Sequence, residues 1–128
     1  MQILAALFID DLEVRQIPGP STRIDLKGIG FSFPAAQPVP ITVEPHLVVL
    51  MHNPEAASTT GALEVVYRRE GEQVARNVQP VEIEGGRFSY RLVRAELEFT
   101  DYDTVEAHCR VDMGPITIVP YTLLPPVE

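Results

Sequence analysis

The sequence predicts an all-β fold: a single domain over residues 1–128, built as a two-sheet antiparallel β-sandwich of about nine strands. Three observations carry this. The twelve prolines and eight glycines fall mostly between apolar runs, where they punctuate the chain. No stretch keeps the i, i+3, i+4, i+7 spacing of an amphipathic helix beyond about two turns. The apolar runs recur roughly every 8 to 12 residues and mostly alternate with polar ones, as short strands with an inner and an outer face do.

In chain order, QILAALFI (2–9) is continuously apolar, which predicts a central strand. IPGPS turns the chain, and TRIDLKGIGFSF then alternates, Ile24 and Leu26 against Arg23, Asp25 and Lys27, with Gly28 and Gly30 free to bend or bulge. Pro34, Pro38, Pro40 and Pro45 remove too many donors for a central strand, so PAAQPVPITVEP is expected to cross the surface or form a poorly paired edge. HLVVLMH is an apolar strand ended by Asn53-Pro54. After the polar loop EAASTTG, ALEVVYRR and REGEQVA form a hairpin turning at Gly71. VEIEGGRFSYRLV carries a second hairpin signal at Gly85-Gly86. ELEF buries Leu97 and Phe99 on one face, and TVEAHCRVDM pairs with ITIVPYTLL across Gly114-Pro115. Pro125-Pro126 stops the last strand.

Eighteen acidic residues against ten basic ones give a net charge of −8, which repels nucleic acid and anionic membrane surfaces, so neither is expected as a partner. The arginines from Arg68 to Arg94 interleave with Glu70, Glu72, Glu82 and Glu84, a mixed wet surface and not a phosphate-binding patch. MQILAALFIDD is not read as a secretion signal: it has no basic n-region, and Asp10-Asp11 stands where small residues precede cleavage. No apolar run approaches the ~20 residues of a membrane-spanning helix. Cys109 is the only cysteine, which excludes an internal disulfide and fits the reducing cytoplasm, the expected location.

DYDTVEAHCRV (101–111) gathers Asp, His and Cys in one run. In a strand, Val105, Ala107, Cys109 and Val111 share one face and Thr104, Glu106, His108 and Arg110 the other, so His108 and Cys109 point apart and cannot form a thiolate–imidazole pair. Cys109 is expected to be an inert core thiol, and His108 to sit on a wet or partner-facing surface. The spacing Asp103, Val105, Ala107, Cys109 resembles the entry to the sixth strand of immunoglobulin-like domains, D-x-[AG]-x-Y-x-C, with LEF as the preceding strand. The resemblance spans residues 61–122 and implies an immunoglobulin-like sandwich. Ala107 replaces the corner tyrosine, and the chain has no Trp and no second cysteine, so a disulfide-bonded member is excluded. Over residues 2–52, ILAALFIDDLEVR, RIDLKGIGFSFP and an apolar strand resemble a family of uncharacterised small bacterial all-β proteins, which implies no activity.

Other constellations carry less chemistry. Asp10 and Asp11 end one strand and Asp101 and Asp103 sit in a later turn, so the four carboxylates could meet at one pole and hold calcium, which needs six or more oxygens. Turn-forming Asp residues also serve their own backbone. His46 and His52 lie on one face of one strand, roughly 20 Å apart if extended, too far for a shared zinc site with His108. No serine sits in a nucleophile elbow and no glycine-rich stretch matches a phosphate loop. Glu82 with Glu84, and Glu96 with Glu98, are solvated strand partners. The expectation is therefore a non-enzymatic protein with no catalytic residues and no cofactor, acting by protein–protein contacts as an assembly or adaptor module, with a protein partner or a second copy of itself. Tyr90, Tyr102, Tyr121 and His108 are its candidate interface residues. The alternative is a small-molecule or calcium-binding sandwich that uses the Asp10, Asp11, Asp101 and Asp103 pole.

Overall fold

The computed structural model describes residues 1–16, 22–54 and 57–127. Among these the chain is all-β, with no helix. The strands are β1 (Gln2–Ile9), β2 (Asp11–Gln16), β3 (Thr22–Lys27), β4 (Ser32–Pro34), β5 (Ile41–Val43), β6 (His46–Asn53), β7 (Thr60–Arg69), β8 (Glu72–Glu82), β9 (Arg87–Arg94), β10 (Leu97–Phe99), β11 (Thr104–Val111) and β12 (Thr117–Leu124). They form a three-stranded sheet in the order β1-β6-β9, a five-stranded sheet in the order β4-β12-β11-β7-β8, and two-stranded pairs β2-β3 and β10-β5. Among the described residues every pairing is antiparallel except that of β4 with β12.

Among the described residues there are twelve strands where about nine were expected; Asp11–Gln16 is a strand of its own, and two further additions have local reasons. The Pro-rich segment takes the second of its two expected forms, a short poorly paired edge, in which Ile41–Val43 pairs with Leu97–Phe99. Its register, Val43 opposite Leu97, continues that of β6 with β9, His46 opposite Arg94, and the ladder breaks where buried Pro45 has no N–H to give. The run TRIDLKGIGFSF is likewise two strands. Gly28 takes φ +68° and the chain leaves β3 to join β12 through β4, so the predicted bend is a change of sheet. The turn expected at IPGPS and part of the EAASTTG loop lie outside the described residues.

The Gly85-Gly86 hairpin is also corrected. Arg87 N–H donates to Glu84 O at 3.1 Å, so a turn is made, but β8 pairs with β7 and β9 with β6. The crossing between sheets is held by Asn53, which is fully buried. Its side-chain amide donates to Ser58 O and Ile83 O, both at 2.7 Å, and its backbone carbonyl accepts Gly86 N–H at 2.7 Å. The β7–β8 hairpin forms as expected, with Glu70 and Gly71 both at positive φ, the backbone of a type I′ turn. The β11–β12 pair also forms as expected.

A single apolar cluster joins the sheets. Phe8, Leu47, Val49, Met51 and Val93 from the three-stranded sheet meet Leu63, Val65, Tyr67, Val105, Ala107, Cys109, Val119 and Leu123 from the five-stranded one. Each fully buried Val, Leu or Phe contributes roughly 1.5–3 kcal/mol relative to exposure, and strand alternation is what directs these side chains to one side. At one end Tyr121 closes the core, stacked on Phe33 at 4.9 Å and edge-on to Phe8 at 5.2 Å.

Candidate functional site

β11 places the Asp, His and Cys run as its alternation requires. Cys109 is fully buried in the apolar cluster, and burial pushes its thiol up to about 12, so it is protonated and unreactive at neutral pH. His108 lies half-buried on the opposite face, between Val66 and Ile118 on the neighbouring strands and 3.5 Å from Glu106. Beside it Glu64 receives Arg76 Nη2 at 2.7 Å on one oxygen and Arg110 Nε at 3.1 Å on the other. The Arg76 hydrogen bond, with Arg110 behind it, holds the Glu64 carboxyl below its ordinary range against the opposing effect of desolvation. On this outer face Glu64 and its two arginines form a local ion-pair network.

The four aspartates do not assemble. Among the described residues no three His, Cys, Asp or Glu side chains converge as a metal site requires. Asp11 and Asp101 each accept the next residue's backbone N–H at 2.8 Å, the turn role open to short acids. Asp103 is engaged by Arg69, whose Nε lies 3.1 Å away and whose guanidinium sits 4.8 Å above the Phe99 ring. Arg69 also donates to Glu98 O at 2.9 Å, which pins β10 to the end of β7. Only Asp10 of the four remains without an ion-pair partner or side-chain hydrogen bond among the described residues, beside Gly28, where a Cβ would overlap its carboxylate.

The candidate interface tyrosines fall in three different places. Tyr121, 7% exposed, belongs to the core cluster and is not a residue of an outer face; inward alternation on β12 puts it there. Tyr102 is half-buried against the core and its hydroxyl accepts Val39 N–H at 3.3 Å. Tyr90 does lie on an outer face. Because Ala6, Phe8, Leu47, Val49, Met51 and Val93 point into the core, their alternation partners point away from it. Those partners form rows across the three strands: Leu7, Val48 and Leu92, then Ala5, Leu50 and Tyr90, then Gln2, His52 and Phe88. Phe88 is 43% exposed and Leu7, Leu50, Tyr90 and Leu92 are half-buried, while Val48 at the centre is fully buried.

Where β1 parts from β5, a cleft of about 270 Å³ opens at the Pro45 break. It is lined by Phe8, Phe33 and Tyr121 together with Asp10, Glu44 and His46. A second hollow, about 130 Å³, lies over Glu64, His108 and Arg110, and a broad one of about 500 Å³ over Arg69, Val74, Glu96 and Glu98.

Comparisons with protein-family profiles, with curated proteins and with solved structures find no match to this chain. Sequence reasoning missed both the cleft and the apolar rows. The cleft joins four segments far apart in the chain, so no local motif announces it. The rows had a signal: QILAALFI and HLVVLM are apolar at consecutive positions, which in antiparallel strands means two apolar faces, not merely a central place.

Proposed function

We propose that this protein is a non-enzymatic, immunoglobulin-like sandwich of the reducing cytoplasm that acts by protein–protein contacts, as an assembly or adaptor module. The observation that carries the contact reading is the outer face of the three-stranded sheet. An antiparallel sheet with one face on the core ordinarily turns polar residues outward, whereas this one presents Leu7, Leu50, Tyr90, Leu92 and Phe88. The fold reading is supported by strand order. The sequence β12-β11-β7-β8 matches the G-F-C-C′ order of immunoglobulin sandwiches, and β1-β6-β9 matches A-B-E. Placement in a reducing compartment is supported by the single cysteine, buried and protonated. The partner is another protein or a second copy of this chain.

Sedimentation across a concentration series, combined with native mass spectrometry of protein drawn gently from its host, tests the reading. The expected result is a defined oligomer or a stoichiometric complex that Leu50→Glu or Tyr90→Glu disperses while the melting temperature holds. A wild-type monomer without a stoichiometric partner, together with loss of folding in both variants, would mean that the face serves the fold alone.

A further inference from the structure

We propose that the cleft between β1 and β5 is a binding site for an organic cation of the guanidinium or alkylammonium class, such as an arginine or lysine side chain. The site uses residues other than the apolar rows, so it and the contact reading stand or fall separately.

Three features of the cleft converge on that chemistry. Its inner surface is aromatic: Phe33 and Tyr121 lie stacked at 4.9 Å with an interplanar angle of 14°, and Phe8 meets Tyr121 edge-on. Stacking turns one face of each ring onto the other, so the face left for a cation is the remaining one of half-buried Phe33, and such faces attract cations most strongly where water is thinned out. Its ionisable lining is two acids and a histidine: Asp10 and Glu44 are both exposed, among the described residues neither has a cationic partner, and His46 stands beside them. Gly28 makes room for the Asp10 carboxylate, because any side chain there would collide with it.

The third feature is a polar group set in the cleft wall. Tyr121 is more than nine-tenths buried, lines the cleft, and among the described residues its hydroxyl makes no hydrogen bond. Burial, and then the Asp10 carboxylate, push this hydroxyl above its ordinary range, which keeps it a neutral phenol whose oxygen accepts. Carboxylates, phenol oxygen and ring faces all seek donors or positive charge. Guanidinium and alkylammonium groups carry N–H donors and no acceptor, so they answer the carboxylates, the phenol oxygen and the aromatic rings of the lining. Size agrees. At about 270 Å³ the cleft falls below the roughly 300–1,000 Å³ of sites for drug-sized ligands and suits a single side chain. A divalent metal does not fit, since among the described residues no three ligating side chains converge there.

The test titrates the full chain with arginine amide, with citrulline amide as its uncharged isostere, and with a short blocked peptide holding one central arginine. NMR follows the ring signals of Phe33 and Tyr121 and the Glu44 amide. Arginine amide is expected to shift these saturably and citrulline amide to leave them in place. The double variant Asp10→Asn, Glu44→Gln alters two exposed side chains and so keeps the fold; it is expected to weaken binding roughly tenfold. Tyr121→Phe keeps the ring and isolates the hydroxyl, with a smaller loss expected. Equal shifts from citrulline amide, shifts that never saturate, or an undiminished affinity in the double variant overturn the proposal. A peptide that binds more tightly than the amide assigns the cation to a partner chain. An amide that binds where the peptide is excluded assigns it to a free small molecule; both support the site.

Discussion

At the scale of single residues, Gly28 shows how one backbone angle sets a side chain elsewhere. Its φ of +68° is costly for any residue with a Cβ, and an added Cβ would overlap the Asp10 carboxylate as well. Gly28→Ala is expected to destabilise the fold by roughly 1–3 kcal/mol in denaturant melts. It should also displace Asp10, visible as a shift of the Tyr121 ring signals; a wild-type melt would refute the account. Glu64 offers a test with a sign. Its carboxyl sits below the ordinary range in the folded protein, chiefly because of Arg76, so its contribution is complete at neutral pH and vanishes as pH falls through that lowered value. The melting difference between wild type and Glu64→Gln should therefore shrink on acidification and be absent in strong acid. A difference that grows with acid contradicts the ion-pair assignment. The two residues differ in how far the sequence exposed them. Gly28 was legible as a bend, since glycine tolerates what other residues do not, but its contact with Asp10 depends on β2 and β3 aligning.

Elements declare themselves when their signals are local. The β7–β8 turn is one such case. Gly71 sits at φ +82°, and a methyl group added to it would meet no atom within 4 Å. Gly71→Ala therefore isolates the backbone cost and is expected to lose about 1 kcal/mol in a chemical melt without altering strand pairing. A larger loss, with altered β7–β8 signals, would show that the turn also sets register. The alternation of β11 was equally legible, because period two fixes which of His108 and Cys109 is buried. The Gly85-Gly86 signal misled for a physical reason: a glycine turn reports local backbone, while the partner of β9 is chosen by β6 and by the buried Asn53. The break at Pro45 was legible as a missing donor but not as an interruption between two aligned pairs, which only the opposite strand reveals.

For the molecule as a whole, eighteen acids against ten bases leave a surplus of negative charge that local pairs such as Arg76 with Glu64 do not cancel. Modest salt screens this self-repulsion over a Debye length of about 10 Å. The melting temperature should therefore rise from low to moderate ionic strength; a fall would mean that the local pairs outweigh the net charge. The all-β class was legible at this scale, since proline and glycine punctuation and the missing helical period act along the entire chain. The aromatic cleft was not, because Asp10, Phe33, Glu44 and Tyr121 become neighbours only after the sheets form. The parallel pairing of β4 with β12 sets an order in time. It joins Ser32 to Thr122, with Thr122 N–H donating to Phe31 O and Ala35 N–H to Leu124 O, so an early strand waits until the distant residues of β12 have been synthesised. Closure of so long a loop is slow to nucleate. In pulsed hydrogen exchange the amides of Ala35 and Thr122 should gain protection after those of β7 and β8, and until then the growing chain carries β11 as the open margin of its larger sheet.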